Sequence, residues 1–482
     1  MAIEVENEFE EPGYFWWRDE KYSQDHFASD KGVNGHLKIK KNGEIHLELD
    51  GLLPRKKHKI SGVLGRRKES EAPRAIQGIT KYSGKRVLLV DAVYNGGSFH
   101  SNRFTWERYL ATICLMGDAD FPRTGVVPTF SLIELDLTGL ENWFVLGTLQ
   151  VTSSSRTLRL RIDETKNIVY QTPYGRIALE KRTEIDGSNG MHHYAASVRE
   201  HMSMSVRRSP AFKPEEIATE FGALQDLFTL LSGSSYQLKW PQVVLAGGKR
   251  SFICIFRRIG GVSKVPELHE LPLKFDDLKG QFGEIYASWR NKLETYGPGF
   301  FSYLSTKRDV KLYVENHFSN LIQGLESFHR TKHHETPVVA GLQEKIDRIL
   351  NDIQRAKDRE WLSARLQHAA EPNLGERLRV LFTSLPLDID HGRLTKFATE
   401  CAHLRNDIAH FGGRRARSQT STFLRDTSLK NEVIGYFYHM ILLKEIGVSD
   451  EAIRSWTSDS IEGFRYRSFL EMIGFCDASN GK

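Results

Sequence analysis

The feature that most constrains this chain is a change in hydrophobic periodicity near residue 270. Before that point, short runs alternate apolar and polar residues, as strands with one buried face do. After it, apolar residues recur every three or four positions, which is typical of amphipathic helices. A chain of 482 residues is also too long for one hydrophobic core. The sequence therefore predicts an α+β multidomain protein, in which a β-rich, sandwich-like N-terminal region precedes an α-helical bundle.

The N-terminal region contains evenly spaced strand-like runs separated by turn residues. A hairpin is predicted at 33–39 and 44–49, because Lys41-Asn42-Gly43 between them is a turn signal. Further strands are predicted at 86–94, 103–116, 129–137, 143–151, 157–162, 176–181, 237–245 and 251–257. One helix interrupts them at 214–231. This spacing favours a β-sandwich or another layered β domain.

The C-terminal region predicts a series of helices with prolines in the connections between them. The helices are predicted at 275–296, 308–330, 338–353, 374–383, 394–410, 429–446 and 451–458. The prolines are Pro298, Pro337, Pro372 and Pro386, and each is expected to break a helix. The predicted domains are 1–270 for the β-rich region, 271–299 for a helical junction and 300–482 for the helical domain.

Composition limits the class of protein. The net charge of +6 and a pI near 8.9 permit a polyanionic partner without requiring one. Four cysteines without Cys-x-x-Cys spacing predict reduced thiols. The acidic N-terminus is not a signal peptide, and no apolar run is long enough to span a bilayer. We therefore expect a soluble cytoplasmic protein that makes no membrane contact.

One predicted helix carries residues suited to phosphate chemistry. On a helical wheel of residues 394–410, the apolar residues share one stripe that includes Phe397 and Cys401. His403, Asn406 and His410 fall on the opposite face. Arg405 lies on the flank, so either its side chain must curl toward the polar face or the helix must be irregular there. A guanidinium binds phosphate through two hydrogen bonds, and an imidazole exchanges a proton near neutral pH.

A basic tail follows this helix at Arg414, Arg415 and Arg417. With His403 and the polar face, these arginines are candidate contacts to an RNA backbone. Together the guanidinium, the imidazole and the added positive charge are what cleavage of RNA without a metal would need. Another basic run, at 55–59 and 66–68, is more typical of a solvated loop.

Other interpretations of the same helix stay open. A polar face with histidines and an arginine is often only a solvated face. His403, Asp407 and His410 have i, i+4, i+7 spacing that suits a metal, but no fourth ligand has convincing spacing. Phosphate-binding loops, Gly-x-Ser-x-Gly elbows and His-Glu-x-x-His motifs are absent. Their absence argues against an NTPase, a serine hydrolase of that class and a zincin.

Residues 404–410 resemble the Arg-x4-6-His signature of HEPN domains, in which the residue after the arginine is commonly Asn, Asp or His. Residues 324–330 are similar to a conserved segment of Apea-type HEPN domains that contains a glutamate and an arginine. The N-terminal stretches at 13–17, 33–39 and 45–53 look like the β-rich domain that accompanies them. Most of the chain thus resembles the bacterial ApeA family of anti-phage abortive-infection proteins.

The resemblance implies a metal-independent ribonuclease that needs no cofactor and dimerises through its HEPN domain. Arg405, Asn406 and His410 take the signature roles, and Glu326 matches an acidic position on the preceding helix. The implied partners are RNA, with tRNA anticodon loops suggested by the family, a second copy of the chain and a phage-derived trigger. The β-rich region is then a sensor or a brake.

Two alternatives belong to other functional classes. Many HEPN domains have lost catalysis, so the chain could be a dimerising module that binds RNA or a phage protein without cutting it. The β-rich region could also bind carbohydrate, which its aromatic content permits and nothing else in the sequence favours.

Overall fold

The computed structural model describes residues 8–21, 26–54, 73–98, 104–147, 149–154, 158–162, 167–187, 196–258, 265–308, 312–333, 341–366, 369, 371–411 and 420–475. The chain divides into two compact units. The first comprises Met1–Gln225 and Tyr236–Val265, and the second comprises Asp226–Ser235 and Pro266–Lys482. The first is rich in strands and the second is helical, which confirms the predicted α+β fold class. The basic run at 55–68, Pro337 and Cys476 lie outside the described residues.

The first unit is built mainly from antiparallel strands. The strands are β1 (Phe9–Trp17), β2 (Val33–Ile39), β3 (Ile45–Leu49), β4 (Arg74–Thr80), β5 (Arg86–Ser98), β6 (Trp106–Ala111), β7 (Ile113–Gly117), β8 (Phe130–Asp136), β9 (Leu149–Ser153), β10 (Leu158–Ile162), β11 (Ile168–Thr172), β12 (Gly175–Gly187), β13 (Ala196–Phe212), β14 (Gln242–Leu245) and β15 (Ser251–Phe256). Two helices accompany them, α1 (Glu141–Phe144) and α2 (Pro214–Ser232).

Within the described ranges, six of these strands close on themselves. They are ordered β5-β4-β1-β2-β3-β6, and β6 pairs back to β5. The long strand β5 makes this possible, since Val90 pairs with Ile113 of β7 and Val93 pairs with Leu110 of β6. Between these residues the backbone turns at Asp91, which has a φ of 51°. The predicted sandwich is therefore a small barrel, and seven further strands extend from β5 as an open sheet in the order β7-β15-β14-β8-β13-β12-β11. Strands β9 and β10 pair with each other in a separate sheet.

Local sequence patterns predicted some of these elements well and others poorly. The hairpin of β2 and β3 is confirmed, with Gly43 at the turn at a φ of 81°. The strand predicted at 143–151 is wrong at its start, because helix α1 ends at Phe144 and β9 begins only at Leu149. A short apolar run does not distinguish a buried helical turn from a buried strand, and Trp143 is 0% exposed.

The second unit is a bundle of helices. They are α3 (Phe275–Leu278), α4 (Phe282–Lys307), α5 (Val314–Lys332), α6 (Leu342–Asn351), α7 (Ala356–Leu366), α8 (Leu374–Thr383), α9 (His391–Phe411), α10 (Thr420–Glu445), α11 (Asp450–Asp459) and α12 (Ile461–Met472). The sequence did not predict α7 or α12. Pro298 lies inside α4 rather than between helices, and the chain accommodates it with a kink at Tyr296 (φ −112°, ψ 15°).

The end of helix α2 also belongs to the helical unit, which the predicted boundary at 270 did not anticipate. Asp226 accepts a hydrogen bond from Arg308 at the end of α4. His439 of α10 donates from Nε2 to the carbonyl oxygen of Leu230 at 2.7 Å. His439 is 3% exposed, and its burial lowers its pKa to about 3. A neutral buried histidine thus joins this segment to the bundle.

Candidate active site

Helix α9 is held in place by its apolar stripe. Leu394, Phe397 and Cys401 are buried, as the wheel predicted. The ring of Phe397 lies 5.1 Å from that of Phe475 and 6.0 Å from that of Phe382 of α8. Burial raises the pKa of the Cys401 thiol to about 12, so this cysteine is not a nucleophile at neutral pH. The stripe therefore fixes which face of α9 points outward.

The outward face presents the polar residues predicted from the sequence. His403, Asn406 and His410 are all exposed, and Asn406 and His410 are one turn apart. Arg405 is half-buried on the flank, and its Nη1 donates to Oδ1 of Asn406 at 3.2 Å. The long arginine side chain thus curls toward the polar face, which is one of the two outcomes that its flanking position allowed. A guanidinium and an imidazole are brought to the same side of one helix.

A groove lies beside this face, between α9 and the first turns of α8. It has a volume of about 340 Å³, and its α9 wall includes Thr395, Thr399, His403 and Asn406. Its α8 wall is formed by residues for which sequence reasoning assigned no role: Asn373, Leu374, Gly375, Glu376 and Arg379. The two helices approach closely here, since a Cβ placed on Gly375 would lie 3.6 Å from the Cα of Thr399.

A sequence signal does exist for the start of α8. Asn373 accepts a hydrogen bond from the backbone N–H of Glu376 at 3.0 Å, and Glu376 accepts one from the N–H of Asn373 at 2.8 Å. This reciprocal capping pattern can be recognised in a sequence. It marks where the helix begins but does not predict which helix it will face, so the groove could not be foreseen.

Glu326 occupies a different environment from the signature residues. Its carboxylate accepts a hydrogen bond from Nε of Arg330 at 3.1 Å, one turn later on α5. Arg330 also donates to Glu371 at 2.6 Å, and Arg377 of α8 donates to the same carboxylate at 2.8 Å. Glu326 thereby joins this network, and none of its hydrogen bonds in the described part of the chain reaches Arg405, Asn406 or His410. Glu326 thus lies where α5 meets the start of α8.

The same network encloses a buried histidine. His329 is 2% exposed, and its Nδ1 lies 3.4 Å from Nη1 of Arg377, which itself is 4% exposed. Burial lowers the pKa of His329 to about 4, and the neighbouring His333 and Arg377 act in the same direction. Arg377 also donates from Nε to the carbonyl oxygen of Pro372 at 2.9 Å. It therefore anchors the residue immediately before the Asn373 cap.

Several predicted features cannot be placed. Arg414, Arg415 and Arg417 lie outside the described residues and stay predictions. In the part of the chain that the structure describes, no three His, Cys, Asp or Glu side chains are grouped to hold a metal ion. The trio of His403, Asp407 and His410 accordingly forms no such group. No helix among the described residues is both long and apolar enough to cross a membrane.

Comparison with known proteins assigns both halves of the chain. Residues 10–289 match the family model described as ApeA N-terminal domain 1, and residues 319–452 match the model described as Apea-like HEPN. No curated protein and no solved structure matched the chain. The second match contains Glu326, the α8 wall of the groove and the Arg405–His410 segment. Because the first match alone covers more than half of the 482 residues, this protein belongs to the ApeA family and carries an Apea-like HEPN domain.

Proposed function

We propose that this chain is a metal-independent endoribonuclease that cuts RNA through attack by the RNA's own 2′-hydroxyl, in anti-phage defence by abortive infection. The observation that carries the proposal is the hydrogen bond from Arg405 to Asn406 on the exposed face of α9, one turn before the exposed His410. This bond aims a guanidinium toward the side of the helix that bears the imidazole. Phosphate-binding and proton-transfer groups then meet a substrate on the same surface.

The two side chains have complementary roles in the proposed reaction. The imidazole of His410 removes the proton from the 2′-hydroxyl, whose oxygen attacks the adjacent phosphorus. The P–O5′ bond breaks, the 5′-oxygen takes up a proton, and the products are a 2′,3′-cyclic phosphate and a 5′-hydroxyl. Proton transfer of this kind contributes a factor of about 10² to 10⁴ in rate. Arg405 stabilises the negative charge that grows on the phosphate oxygens.

Asn406 acts in this scheme by orienting Arg405. A guanidinium has five N–H donors, and Arg405 uses one of them in its hydrogen bond to Asn406 among the described residues. Donors are therefore left for the fork of two bonds that holds a phosphate. We assign Glu326 a positioning role, because its bond to Arg330 joins it to the network that anchors the start of α8.

A second copy of the chain completes the proposed site. Each chain supplies one signature histidine, whereas the reaction needs one group to accept a proton and another to donate one. Two α9 helices brought together in a homodimer would supply both. Single-stranded loops such as tRNA anticodon loops are the proposed substrates, because 2′-hydroxyl attack needs an in-line geometry that helical RNA resists. The β-rich unit is the proposed sensor of a phage-derived trigger.

The test is incubation of the purified full chain with total tRNA in EDTA, with and without lysate of phage-infected cells. His410→Ala is the inactive variant, and His391→Ala, which removes another exposed histidine of α9, is the matched control. We expect cleavage by the unaltered chain and by His391→Ala only, with cyclic-phosphate ends. Equal cleavage by His410→Ala would contradict the assignment. Intact RNA in every tube would favour the alternative, a dimerising module that binds without cutting.

A further inference from the structure

The groove between α8 and α9 is lined by polar side chains from both helices, and Asn406 connects it to the signature residues. We propose that it receives the base of the nucleotide beside the scissile phosphate, and that Arg379, Glu376 and His403 determine which base is accepted. This inference rests on the proposed function and adds base selection to it. None of the three residues is needed for the chemistry assigned to Arg405 and His410.

The size of the groove fits a nucleotide. Its volume of about 340 Å³ is at the lower end of the roughly 300–1,000 Å³ typical of small-molecule sites. The floor is formed by the buried Ala402 and by Gly375, whose added Cβ would lie 3.8 Å from the Cβ of Ala402. The absence of a side chain at Gly375 therefore keeps the floor open. A larger residue at this position would occupy the space assigned to the base.

The polar groups around the groove suit a base better than a phosphate. The capping bonds between Asn373 and Glu376 already use backbone N–H groups at the start of α8. The carboxylate of Glu376 would also repel a phosphate there. A base edge, by contrast, presents both donors and acceptors in one plane. The carboxylate of Glu376 can accept from such an edge, and the exposed guanidinium of Arg379 can donate to it.

The wall formed by α9 contributes its own selectivity. The hydroxyls of Thr395 and Thr399 donate to backbone carbonyls one turn earlier, at 2.7 and 3.0 Å. Since these bonds use the hydroxyl hydrogens, the two threonines cannot donate to a ligand at the same time. His403 and Asn406 are left as the adaptable polar groups of that wall. An imidazole can also stack on a base, which is how proteins commonly read unpaired RNA.

Asn406 links the groove to the reacting phosphate. It lines the groove and also accepts the hydrogen bond from Arg405. A nucleotide whose base occupies the groove would therefore have its phosphate directed toward Arg405 and, one turn further, His410. The groove supplies recognition and the end of α9 supplies chemistry. This arrangement predicts that base selection can be removed while cleavage persists.

The experiment maps cleavage sites in a pool of single-stranded RNA of random sequence by sequencing the new ends. The variants are Arg379→Ala, Gly375→Leu to fill the floor, and Arg454→Ala as the control for loss of an exposed arginine on α11. The unaltered chain and the control should prefer one base beside the cut. Arg379→Ala and Gly375→Leu should lose that preference and lower kcat/KM roughly tenfold, mainly through KM. An unchanged preference in both variants, or no preference in the unaltered chain, would overturn the inference.

Failure of the proposed function gives a different result and does not prevent this test. If the unaltered chain cuts no RNA, fluorescence anisotropy on short oligouridines with one replaced central nucleotide tests the groove directly. Base recognition without cleavage is supported if the affinity of the unaltered chain depends on that nucleotide and the affinity of Arg379→Ala does not. Equal affinity for all four oligonucleotides, in both proteins, overturns it.

Discussion

Helices α5 and α9 each carry a histidine and an arginine, and their surroundings differ in almost every respect. On α5, His329 is 2% exposed, and Arg330 is bonded to Glu326 and Glu371. On α9, His410 is exposed, and Arg405 contacts Asn406 on the solvent side of the helix. The same residue types thus build an internal junction on one helix and a solvent-facing polar surface on the other. Packing, rather than the motif itself, decides which groups a substrate can reach.

Burial on α5 also determines a protonation state. Burial lowers the pKa of His329 to about 4, so this imidazole is neutral at pH 7. Its neighbour Arg377 binds the Glu371 carboxylate and the Pro372 carbonyl oxygen, which fixes the approach to α8. Helix α5 therefore contacts the network that anchors the start of α8, whereas α9 carries the groups that we propose act on RNA. The following predictions test this division of roles.

The largest effect is expected for His410→Ala. Loss of the proposed general base should lower the single-turnover cleavage rate by a factor of about 10² to 10⁴, while the free energy of unfolding changes by no more than about 0.5 kcal/mol because this position is exposed. His391→Ala should leave both quantities unaltered, since it lies at the other end of α9. A rate within twofold of that of the unaltered chain would show that His410 takes no part in the cleavage reaction.

Arg377→Ala should lower the stability of the fold, in contrast to His410→Ala, which should lower the cleavage rate. It leaves the buried His329 against an empty space and removes the bonds to Glu371 and Pro372. We expect a loss of about 3 kcal/mol in the free energy of unfolding, measured by urea titration. The matched control, Arg454→Ala, removes an exposed arginine and should stay within about 0.5 kcal/mol. Equal stability of the two variants would show that the junction does not stabilise the fold.

Arg405→Lys should lower the cleavage rate while RNA binding changes little. Lysine keeps the positive charge, but it cannot bond Asn406 and hold a phosphate with a planar fork at the same time. We expect a decrease of roughly 10- to 100-fold in the single-turnover rate. Comparison with affinity for a non-cleavable RNA separates the two effects. Equal losses of affinity and rate would indicate that Arg405 binds the RNA substrate and the transition state equally well.

Acidification should weaken the helical unit through its buried histidines. The folded pKa of His329 is about 4 against an ordinary value of 6.5, so between these values the unfolded chain binds a proton that the folded chain does not. The free energy of unfolding therefore falls as pH decreases below 6.5, by up to about 1.4 kcal/mol per pH unit. In urea titrations at several pH values, the free energy of unfolding of His329→Asn should depend less steeply on pH than that of the unaltered chain. An identical dependence would contradict the buried neutral state.

The smallest effect is expected for Glu326→Gln. Arg330, its partner, has a side chain that is 49% exposed, and exposed ion pairs contribute about 0–1 kcal/mol. The cleavage rate should fall less than threefold, since Glu326 acts only through the start of α8. A loss as large as that of His410→Ala would instead place Glu326 among the groups that touch the substrate.

Much of this arrangement could be predicted from local sequence. Helix α8 was predicted at 374–383 and observed at Leu374–Thr383, because the apolar period and the breaker Pro372 are local signals. The polar and apolar faces of α9 likewise follow from a regular helix of known period. Arg405, Asn406 and His410 could be proposed because all three lie within two turns of one helix.

Features that depend on tertiary contacts could not be predicted. The pairing of β5 with β6 closes the barrel and its pairing with β7 begins the open sheet, yet nothing in the sequence of β5 identifies these partners. Gly375 and Arg379 line the groove only because α8 packs against α9, and local sequence does not predict that packing. Glu326 was assigned because it matches an acidic position on a helix of the family that the sequence resembles. That position does not determine which side chain its carboxylate binds.

The most direct test of the account uses an RNA that carries the mapped cleavage site and a second copy with a single 2′-deoxynucleotide at that site. Both are incubated with the unaltered chain in EDTA, and the product ends are identified by mass spectrometry. The account predicts a 2′,3′-cyclic phosphate from the first RNA and no cleavage of the second at that position. Cleavage of the 2′-deoxy substrate would contradict attack by the 2′-hydroxyl, and with it the roles assigned to Arg405 and His410.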